Sequence, residues 1–369
     1  DMALVAQSLA TQSSSPRNKY REMTNNINNV TGAKCAVIIL NWNGEALLRR
    51  YLPDVVSGTD AAFGRVIVAD NGSTDGSRQL LETEFAGRVD TIYFNENHGY
   101  AGGYNRAIEA LHGHYEYVVL LNSDVSTPSG WLAPLVKYLD IHPRVGAVQP
   151  KIISETRRDT FEYAGACGGM IDRNGYPYCR GRIFGTCEPD KGQYDTEMPI
   201  FWATGAALCI RTDLYVCVGG LDERFFAHME EIDLCWRVHL AGYDIVVLPT
   251  SHVFHLGGGS LPASNPRKTY LNFRNNLLLL HKNLPNSTRR SKLFRRRLLD
   301  TIAWCKFVVG FDFKNAGAIL RAHRDFKNMR REYTVHPETD LLDARTDTHV
   351  NILVQYYLKG KHRFSQLKF

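Results

Sequence analysis

Short apolar stretches that alternate with helix-like stretches between Cys35 and Ile153 constrain the fold more than any other feature of the sequence. Each apolar stretch has the length of a buried strand, and each intervening stretch has the composition of a helix. The strand-like stretches read CAVIILNWN, GRVIVADNGSTDGS, VDTIYFNEN, YEYVVLLNSD and VGAVQPKII. This order predicts an α/β fold with a mixed, mainly parallel sheet and helices on both faces.

Three of the predicted strands end in polar or acidic loops. These loops contain Asn41 and Asn43, Asp70 and Asn71, and Asn122 and Asp124. Because the ligands of such sheets bind beyond the carboxyl ends of the strands, the loops predict a binding site at one rim. Asp124 suits Mg²⁺, which takes one or two carboxylates besides substrate phosphate oxygens. A turn or capping role remains the alternative for both aspartates.

The Gly-rich stretch HGYAGGYN opens a predicted helix. It contains Gly99, Gly102, Gly103 and Asn105. Glycines let the backbone approach a ligand closely, and a helix N-terminus favours phosphate. The spacing matches neither GxGxxG nor a P-loop, so it indicates a phosphate contact without specifying a nucleotide.

Two later stretches carry titratable side chains. HMEEIDLCWR places Glu230, Glu231 and Asp233 within four residues. Crowded carboxylates can raise one another's pKa, which suits a general base. SHVFHLGGGS places His255 at a strand exit before three glycines, where it suits a metal ligand or a purely structural role.

Composition and cysteine usage limit the class of protein. No apolar run has the roughly 18–20 residues of a membrane span. Residues 1–32 are rich in Ser, Thr, Asn and Gln, which predicts a poorly ordered leader and no secretory signal. The eight cysteines form no CxxC pair and favour reduced thiols in a cytoplasmic protein. A zinc site of Cys167, Cys179 and Cys187 is the weaker alternative.

One helical segment carries the whole basic excess of the chain. Between Ser287 and Tyr333 there are 13 Lys/Arg and 4 Asp/Glu, against a net charge of +6 for all 369 residues. The segment fits a peripheral contact with the inner face of the cytoplasmic membrane, or a packed helical unit with a solvated basic face. Nucleic-acid binding is not expected, because no recognised module accompanies the charge.

Taken in order, seven stretches resemble glycosyltransferase family 2, in its rhamnosyltransferase-like branch. They are ILNWNG, VADNGSTDGS, NHGYAGGYNRAI, LLNSDV, WATGAALCIRTDLYVCVGGLDERFF, EEIDLCWR and HLGGGS. The resemblance implies a GT-A domain at 33–262, followed by a basic helical extension at 263–335 and a tail at 336–369. It also implies inverting transfer of a sugar from a nucleotide-diphosphate donor to a glycan or lipid-linked acceptor, with Mg²⁺ or Mn²⁺, in cell-surface polysaccharide assembly.

The resemblance also implies residue roles. Asp70 resembles the aspartate that holds the base, Asp124 the last acid of the DxD motif, and His255 the histidine that completes the metal shell. The second acid of the family's ED pair, here Glu231, is the catalytic base. The donor-binding set implied in this way is Asn41, Asn43, Asp70, Asn71, Gly99, Gly102, Gly103, Asn105, Asn122, Asp124, Thr204 and Gly205.

Two departures from the family pattern leave alternatives open. Asn122 replaces the first acid of DxD, and the ED pair reads Glu230–Glu231, so the base can be either glutamate. A catalytically impaired nucleotide-sugar-binding protein is therefore one alternative. A sugar-phosphate nucleotidyltransferase is less favoured, because LNWNGEALLRR lacks a Gly-rich basic loop after the first strand.

Overall fold

The computed structural model of the chain describes residues 32–257 and 265–368. The predicted leader, apart from its last residue, lies outside the described residues, and so do Gly258 and Gly259 of the HLGGGS stretch. The strands are β1 Cys35–Asn41, β2 Gly64–Asp70, β3 Asp90–Tyr93, β4 Tyr117–Leu121, β5 Val125–Ser126, β6 Val145–Ser154, β7 Gly169–Ile171, β8 Pro177–Cys179, β9 Arg182–Ile183, β10 Thr186–Cys187, β11 Met198–Pro199, β12 Ala207–Arg211 and β13 Asp244–His255. The helices are α1 Glu45–Gly58, α2 Ser77–Thr83, α3 Gly99–Leu111, α4 Leu132–Ile141, α5 Thr212–Cys217, α6 Glu230–Leu240, α7 Pro266–Asn283, α8 Asn286–Val309, α9 Phe313–Met329 and α10 Leu341–Ala344.

The main sheet has nine strands in the order β11-β13-β6-β12-β4-β1-β2-β3, with β5 paired to β13. The pairs β1–β2, β1–β4, β2–β3 and β6–β13 are parallel. Strand β12 runs antiparallel between β4 and β6. Successive residues of β1, such as Val37 and Ile38, point to opposite faces of the sheet and enter two separate apolar clusters. The predicted mixed, mainly parallel α/β fold is confirmed.

A small antiparallel sheet in the order β10-β9-β8-β7 lies between β6 and β11 in the sequence. Its strands are only two or three residues long, so they give little periodic signal. Trp202 closes over Gly169, where an added Cβ would lie 2.1 Å from the indole ring. The glycine therefore lets this sheet approach the main core.

The helices after residue 265 pack against the same core. Leu277, Leu278, Leu279 and Leu280 of α7 are buried in the larger apolar cluster. The tail contacts the residue that follows β7, because the Ile352 N–H donates to Asp172 at 3.1 Å. The boundaries at 262 and 335 stay predictions. Within the described ranges, no helix combines the length and apolarity needed to cross a bilayer.

Candidate active site

Strand register brings the predicted polar loops to one rim of the sheet. Asn41 and Asp70 are direct partners at the ends of β1 and β2. His255, the last residue of β13, pairs with Val125, which follows Asp124. The Asn122 N–H donates to the Ala206 carbonyl at 3.1 Å, just before β12 begins. The ends of β1, β2, β4 and β13 and the start of β12 therefore carry the candidate site.

The first corner of the site is a hydrogen-bonded set around Asp70. Asn41 Nδ2 donates to Asp70 Oδ2 at 2.9 Å, and the Ser73 N–H donates to Asp70 Oδ1 at 3.0 Å. Asn43 has a left-handed φ of 49° and accepts from the Thr74 N–H at 2.7 Å. Within the described ranges, Asn41 Oδ1 is buried without a hydrogen-bond partner. An orphaned buried acceptor is rare and is consistent with a ligand-binding corner.

The side chain of Asn71 ties the next loop to this corner. Its Nδ2 donates to Asn97 Oδ1 and to the Gly99 carbonyl, both at 3.0 Å, and its Oδ1 accepts from the His98 N–H. A Cβ at Gly103 would lie 2.6 Å from Leu40, so this glycine lets α3 press against β1. Asn71 and Gly103 thus shape the loop from within.

Two other α3 residues that were predicted to bind the sugar donor contact residues 215–223 instead of the strand ends. Asn105 Nδ2 donates to the Leu221 carbonyl at 2.8 Å, and its Oδ1 accepts from Tyr215 Oη and the Leu221 N–H. A Cβ at Gly102 would lie 3.1 Å from Glu223. These contacts hold α3 to the 215–223 loop, and the predicted role of both residues in donor binding stays a prediction.

The second corner is a buried ion pair between Asp124 and His255. His255 Nε2 lies 3.1 Å from Asp124 Oδ1, and Nδ1 lies 3.2 Å from Glu162 Oε2. The Nδ1 contact lacks hydrogen-bond geometry, so we regard it as mainly electrostatic. Burial would lower the pKa of His255, but the two carboxylates outweigh it and raise the pKa to about 10. At Asp124, burial would raise the pKa, but the hydrogen bond and charge of His255 outweigh burial and lower it.

This arrangement fits a divalent cation held by few protein ligands. A histidine with one ring nitrogen toward an outer carboxylate and the other toward a carboxylate ligand is common at metal sites. The described ranges contain no group of three or more His, Cys, Asp or Glu side chains that could hold a metal. Two protein ligands together with substrate phosphate oxygens and water are enough for a Mg²⁺ site.

The predicted Thr204–Ala206 segment lies between the Asp124–His255 corner and the acidic pair. The Ala206 carbonyl bonds Asn122, as described above, and the Gly205 carbonyl accepts from Tyr100 Oη at 3.1 Å. A Cβ at Gly205 would lie 2.5 Å from Tyr100 Oη and 3.9 Å from Glu231 Cβ. Gly205 therefore leaves room beside Tyr100 and Glu231.

Glu230 and Glu231 open α6 with unpaired carboxylate oxygens. Oε2 of each is buried and has no hydrogen-bond partner among the described residues. Glu230 is buried, whereas Glu231 is half-buried. Burial and the charge of Glu231 raise the pKa of Glu230 well above its usual range. Burial also raises the pKa of Glu231, partly offset by backbone N–H groups at the start of the helix. Such unpaired, perturbed acids are typical of catalytic groups.

Comparison with known proteins identifies the family of the segment that carries Asn41, Asp70 and Asp124. Residues 36–188 match the profile described as "Glycosyl transferase family 2". The matched segment is a glycosyltransferase family 2 domain. It is 28% identical over 234 residues to an N-acetylglucosaminyl-diphospho-decaprenol L-rhamnosyltransferase of Mycobacterium tuberculosis, which covers 59% of this chain and 75% of the relative. It is 23% identical over 224 residues to rhamnosyltransferase WbbL of Escherichia coli, which covers 59% of this chain and 82% of that one.

Solved structures share the fold of this glycosyltransferase. S. aureus TarS 1-349 in complex with UDP-GlcNAc superposes with a TM-score of 0.52 and 16% identity, over 79% of this chain and 80% of that chain. GalNAc-T7 with UDP, GalNAc and Mn²⁺ superposes with a TM-score of 0.53 and 15% identity, over 70% and 49%. At these identities the likeness establishes the fold alone.

The loop before the acidic pair of the glycosyltransferase is strained. Phe226, His228 and Met229 have φ values of 67°, 68° and 76°, which residues other than glycine rarely adopt. Such residues are common at functional sites, where the surrounding structure must hold them in place. No glycine marks the loop, so the sequence gives no signal for this strain.

Asn275 of α7 holds the strained loop. Its fully buried Nδ2 donates to the carbonyls of Phe225, Ala227 and His228 at 2.8–2.9 Å. Neighbouring Arg274 Nη2 also donates to the Phe225 carbonyl at 2.8 Å. The signal for these residues was a polar RNN triplet inside the apolar helix LNFRNNLLLL. Glu162, the outer carboxylate of His255, was also missed, and its signal was a single acid in the apolar stretch FEYAG.

Asp233, the third acid of this stretch, pairs with basic side chains. It is fully buried and contacts Arg237 at 2.7 Å and Lys282 at 2.8 Å. Lys282 also contacts Asp222 at 2.8 Å. Asp233 therefore fastens α6 to α7 and leaves Glu230 and Glu231 as the acids of the site.

The eight cysteines are free thiols. Among the three that the zinc alternative requires, burial raises the pKa of Cys167 to about 12. The Sγ atom of Cys179 accepts from Arg182 at 3.0 Å. Among the described residues no group of three or more His, Cys, Asp or Glu side chains is placed to hold a metal, so the zinc alternative is not supported.

Proposed function

We propose that this glycosyltransferase moves a sugar from a nucleotide-diphosphate donor to a hydroxyl group of a glycan or lipid-linked acceptor, with inversion, during assembly of a cell-surface polysaccharide. One observation carries the proposal: Thr204–Ala206 joins the Asp124–His255 pair to Glu231. Two relatives are named rhamnosyltransferases, and one of those names includes a lipid-diphosphate-linked sugar. These names support the acceptor class.

Asp124 and His255 would hold Mg²⁺ or Mn²⁺ against the donor diphosphate. The cation would supply Lewis-acid stabilisation of the negative charge on the leaving group. Asp124 carries most of this task, because Asn122 offers only a neutral amide where the family has an acid. Glu162 orients His255 from the other side of the ring. The chain is proposed to act in the cytoplasm.

We assign the base to Glu231. Neighbouring acids with pKa values pushed apart divide their roles, and the deeper Glu230 is the one that stays protonated. The Glu231 carboxylate removes the proton of the acceptor hydroxyl while that oxygen bonds to the anomeric carbon. The bond from that carbon to the diphosphate breaks on the opposite face, and the nucleoside diphosphate leaves with the electron pair. One such displacement inverts the anomeric configuration.

A thermal-shift screen with a panel of nucleotide sugars, with and without Mn²⁺, tests the donor half of this proposal. We expect one donor class to raise Tm, and the shift to be larger with Mn²⁺, because ligands stabilise the folded state that binds them. The stabilising donor is then used in a transfer assay. Binding without transfer or donor hydrolysis would favour a catalytically impaired binding protein. Conversion of the nucleotide sugar and added inorganic diphosphate to a nucleoside triphosphate and a sugar phosphate would favour a nucleotidyltransferase.

A further inference from the structure

Helix α8 exposes a continuous apolar stripe. Phe294, Leu298, Ile302 and Val309 are exposed, with fractions of 52–78%. At about 100° per residue these positions fall within one arc of roughly 80° on the helix surface. The opposite side of the helix, which includes Arg296, is buried. The stripe is therefore the outward face of a helix whose inner face is already packed.

The apolar stripe continues onto neighbouring elements. Leu320 of α9 is exposed and borders a groove that it shares with Phe294 and Leu298. Phe311 and Phe313, in the turn between α8 and α9, are 82% and 63% exposed, and their ring centroids lie 6.3 Å apart. A contiguous patch of large apolar side chains on a surface is unusual and marks an interaction site.

Cations flank this stripe on both sides. On the helix surface Arg290 and Arg297 lie along one edge, and Arg295 and Lys306 lie along the other. Neither Arg295 nor Arg297 has an acidic partner in the described part of the chain. The one acid of α8, Asp300, is buried and contacts Arg296 at 2.8 Å. The exposed face of α8 is therefore apolar at its centre and positive at both edges.

The charge and shape of this face select one kind of partner. A second copy of the chain would place arginines against arginines, which is unfavourable. A nucleic acid would match the charge but would leave Ile302 and Val309 without an apolar contact. An anionic bilayer matches both, because apolar side chains enter the acyl boundary while Arg and Lys side chains reach the phosphates.

We propose that the α8–α9 face, defined by Phe294, Leu298, Ile302, Val309, the Phe311–Phe313 turn and Leu320, binds the surface of an anionic phospholipid membrane. The helix lies flat, with its apolar stripe in the acyl boundary and Arg295 and Arg297 at the headgroups. This binding is independent of the sugar-transfer chemistry, since none of these residues belongs to the candidate active site.

Vesicle flotation of the full chain tests the proposal. With phosphatidylcholine vesicles containing about one third phosphatidylglycerol, we expect at least about tenfold more floated protein than with phosphatidylcholine alone. Raising NaCl to about 0.5 M should lower flotation, because salt screens the headgroup charge. Protein that stays in the soluble fraction with the anionic vesicles would overturn the proposal.

Paired variants distinguish membrane binding through this face from nonspecific binding by exposed apolar side chains. Leu298→Ser/Ile302→Ser should lower flotation at least about tenfold, since each lost methylene weakens insertion. The control Ile141→Ser/Val335→Ser removes equally exposed apolar groups elsewhere and should float like wild type. Equal flotation of the first variant and the wild type would refute the proposed face.

The charge component has its own matched pair. Arg295→Glu/Arg297→Glu should abolish the preference for anionic vesicles, whereas Arg144→Glu/Lys191→Glu, at exposed positions outside the face, should keep it. Donor hydrolysis should be unchanged in all four variants, so loss of membrane binding is distinguishable from failure of the proposed transferase activity. Unaltered anionic preference in the Arg295/Arg297 variant would contradict the proposal.

Fluorescence gives a readout that does not depend on a destabilising change. Trp304 lines the groove beside Leu298 and Leu320. Brominated lipids in anionic vesicles should quench part of the tryptophan emission in the wild type, and this quenching should disappear in Trp304→Phe. Quenching that persists in Trp304→Phe but disappears in Trp42→Phe would place the membrane contact elsewhere and overturn the proposal.

Discussion

The side-chain amide of Asn275 donates a hydrogen bond to the His228 carbonyl at 2.8 Å, two residues before Glu230. Because Asn275 lies in the helical region that follows the catalytic sheet, that region helps to set the position of the acidic pair. We predict that Asn275→Ala lowers kcat at least tenfold and destabilises the fold by about 1–3 kcal/mol, since buried carbonyls lose their donor.

Asn276→Ala is the matched control for this change. Asn276 is equally buried in the same helix, but its Nδ2 donates to the Gly175 carbonyl, away from the acidic pair. We expect a similar loss of stability with kcat nearly unchanged, measured well below the Tm of each variant. Equal kcat values for the two variants would exclude a positioning role for Asn275.

Asp124 should matter more than Asn122. We expect Asp124→Asn to lower kcat/KM by at least about a hundredfold and to raise the Mn²⁺ concentration needed for half-maximal activity, since it removes the carboxylate of the proposed cation site. Asn122→Ala should have a much smaller effect, because its side chain lies 3.5 Å from His255 and carries no charge. Similar losses in the two variants would contradict the assignment of Asp124.

Glu231 and Glu230 should respond differently to amide substitution. Glu231→Gln is expected to lower kcat about a hundredfold to ten-thousandfold, with donor binding retained in a thermal-shift assay. Glu230→Gln should keep most of the activity, since a protonated acid and an amide are both neutral. The opposite result would transfer the role of base to Glu230.

The pH dependence of kcat follows from the same assignment. A base acts only when ionised, so lowering the pH through its pKa removes activity. Because burial raises the pKa of Glu231, the acid limb should lie above the value of ~4.3 for an exposed glutamate. Wild-type kcat measured with saturating donor from pH 4 to 8 checks this, and an acid limb at or below that value would argue against Glu231.

Asp172 should make the fold less stable as pH rises. It is fully buried, and although it accepts the N–H groups of Asn174, Tyr176 and Ile352, burial raises its pKa to about 6. The neutral acid is therefore favoured in the folded state, and its stabilisation is present below about pH 4 and lost by about pH 6. The shift corresponds to about 3 kcal/mol.

Denaturant unfolding of the wild type and Asp172→Asn between pH 4 and pH 7 measures this effect. The stability of the wild type relative to the variant should fall by about 2 kcal/mol across this range, because the variant cannot ionise and the unfolded acid is already partly ionised at pH 4. Asp54→Asn, at an exposed position, controls for the loss of one carboxylate. A difference between wild type and Asp172→Asn that does not change with pH would refute the prediction.

Local sequence signals were enough for the elements and several side chains of the rim. Buried strands such as CAVIILN are recognisable from a few neighbouring residues, and their polar ends identified Asn41, Asp70 and Asp124. The parallel register that makes Asn41 and Asp70 partners then follows from the α/β class. The HMEEIDLCWR stretch also led to Glu230 and Glu231, whereas the pairing of Asp233 with Lys282 depends on a contact with a later helix.

By itself, the sequence determined the α/β order, the polar ends of the strands and the acidic pair, because each is a pattern of neighbouring residues. The tertiary structure decided that antiparallel β12 brings Gly205 beside Tyr100 and Glu231, that Glu162 contacts His255, and that Asn275 holds the loop before Glu230. Helical periodicity could not separate the exposed stripe of α8 from a core face. The physical reason is common to these cases: which groups meet across long sequence separations is set by the packing of whole elements.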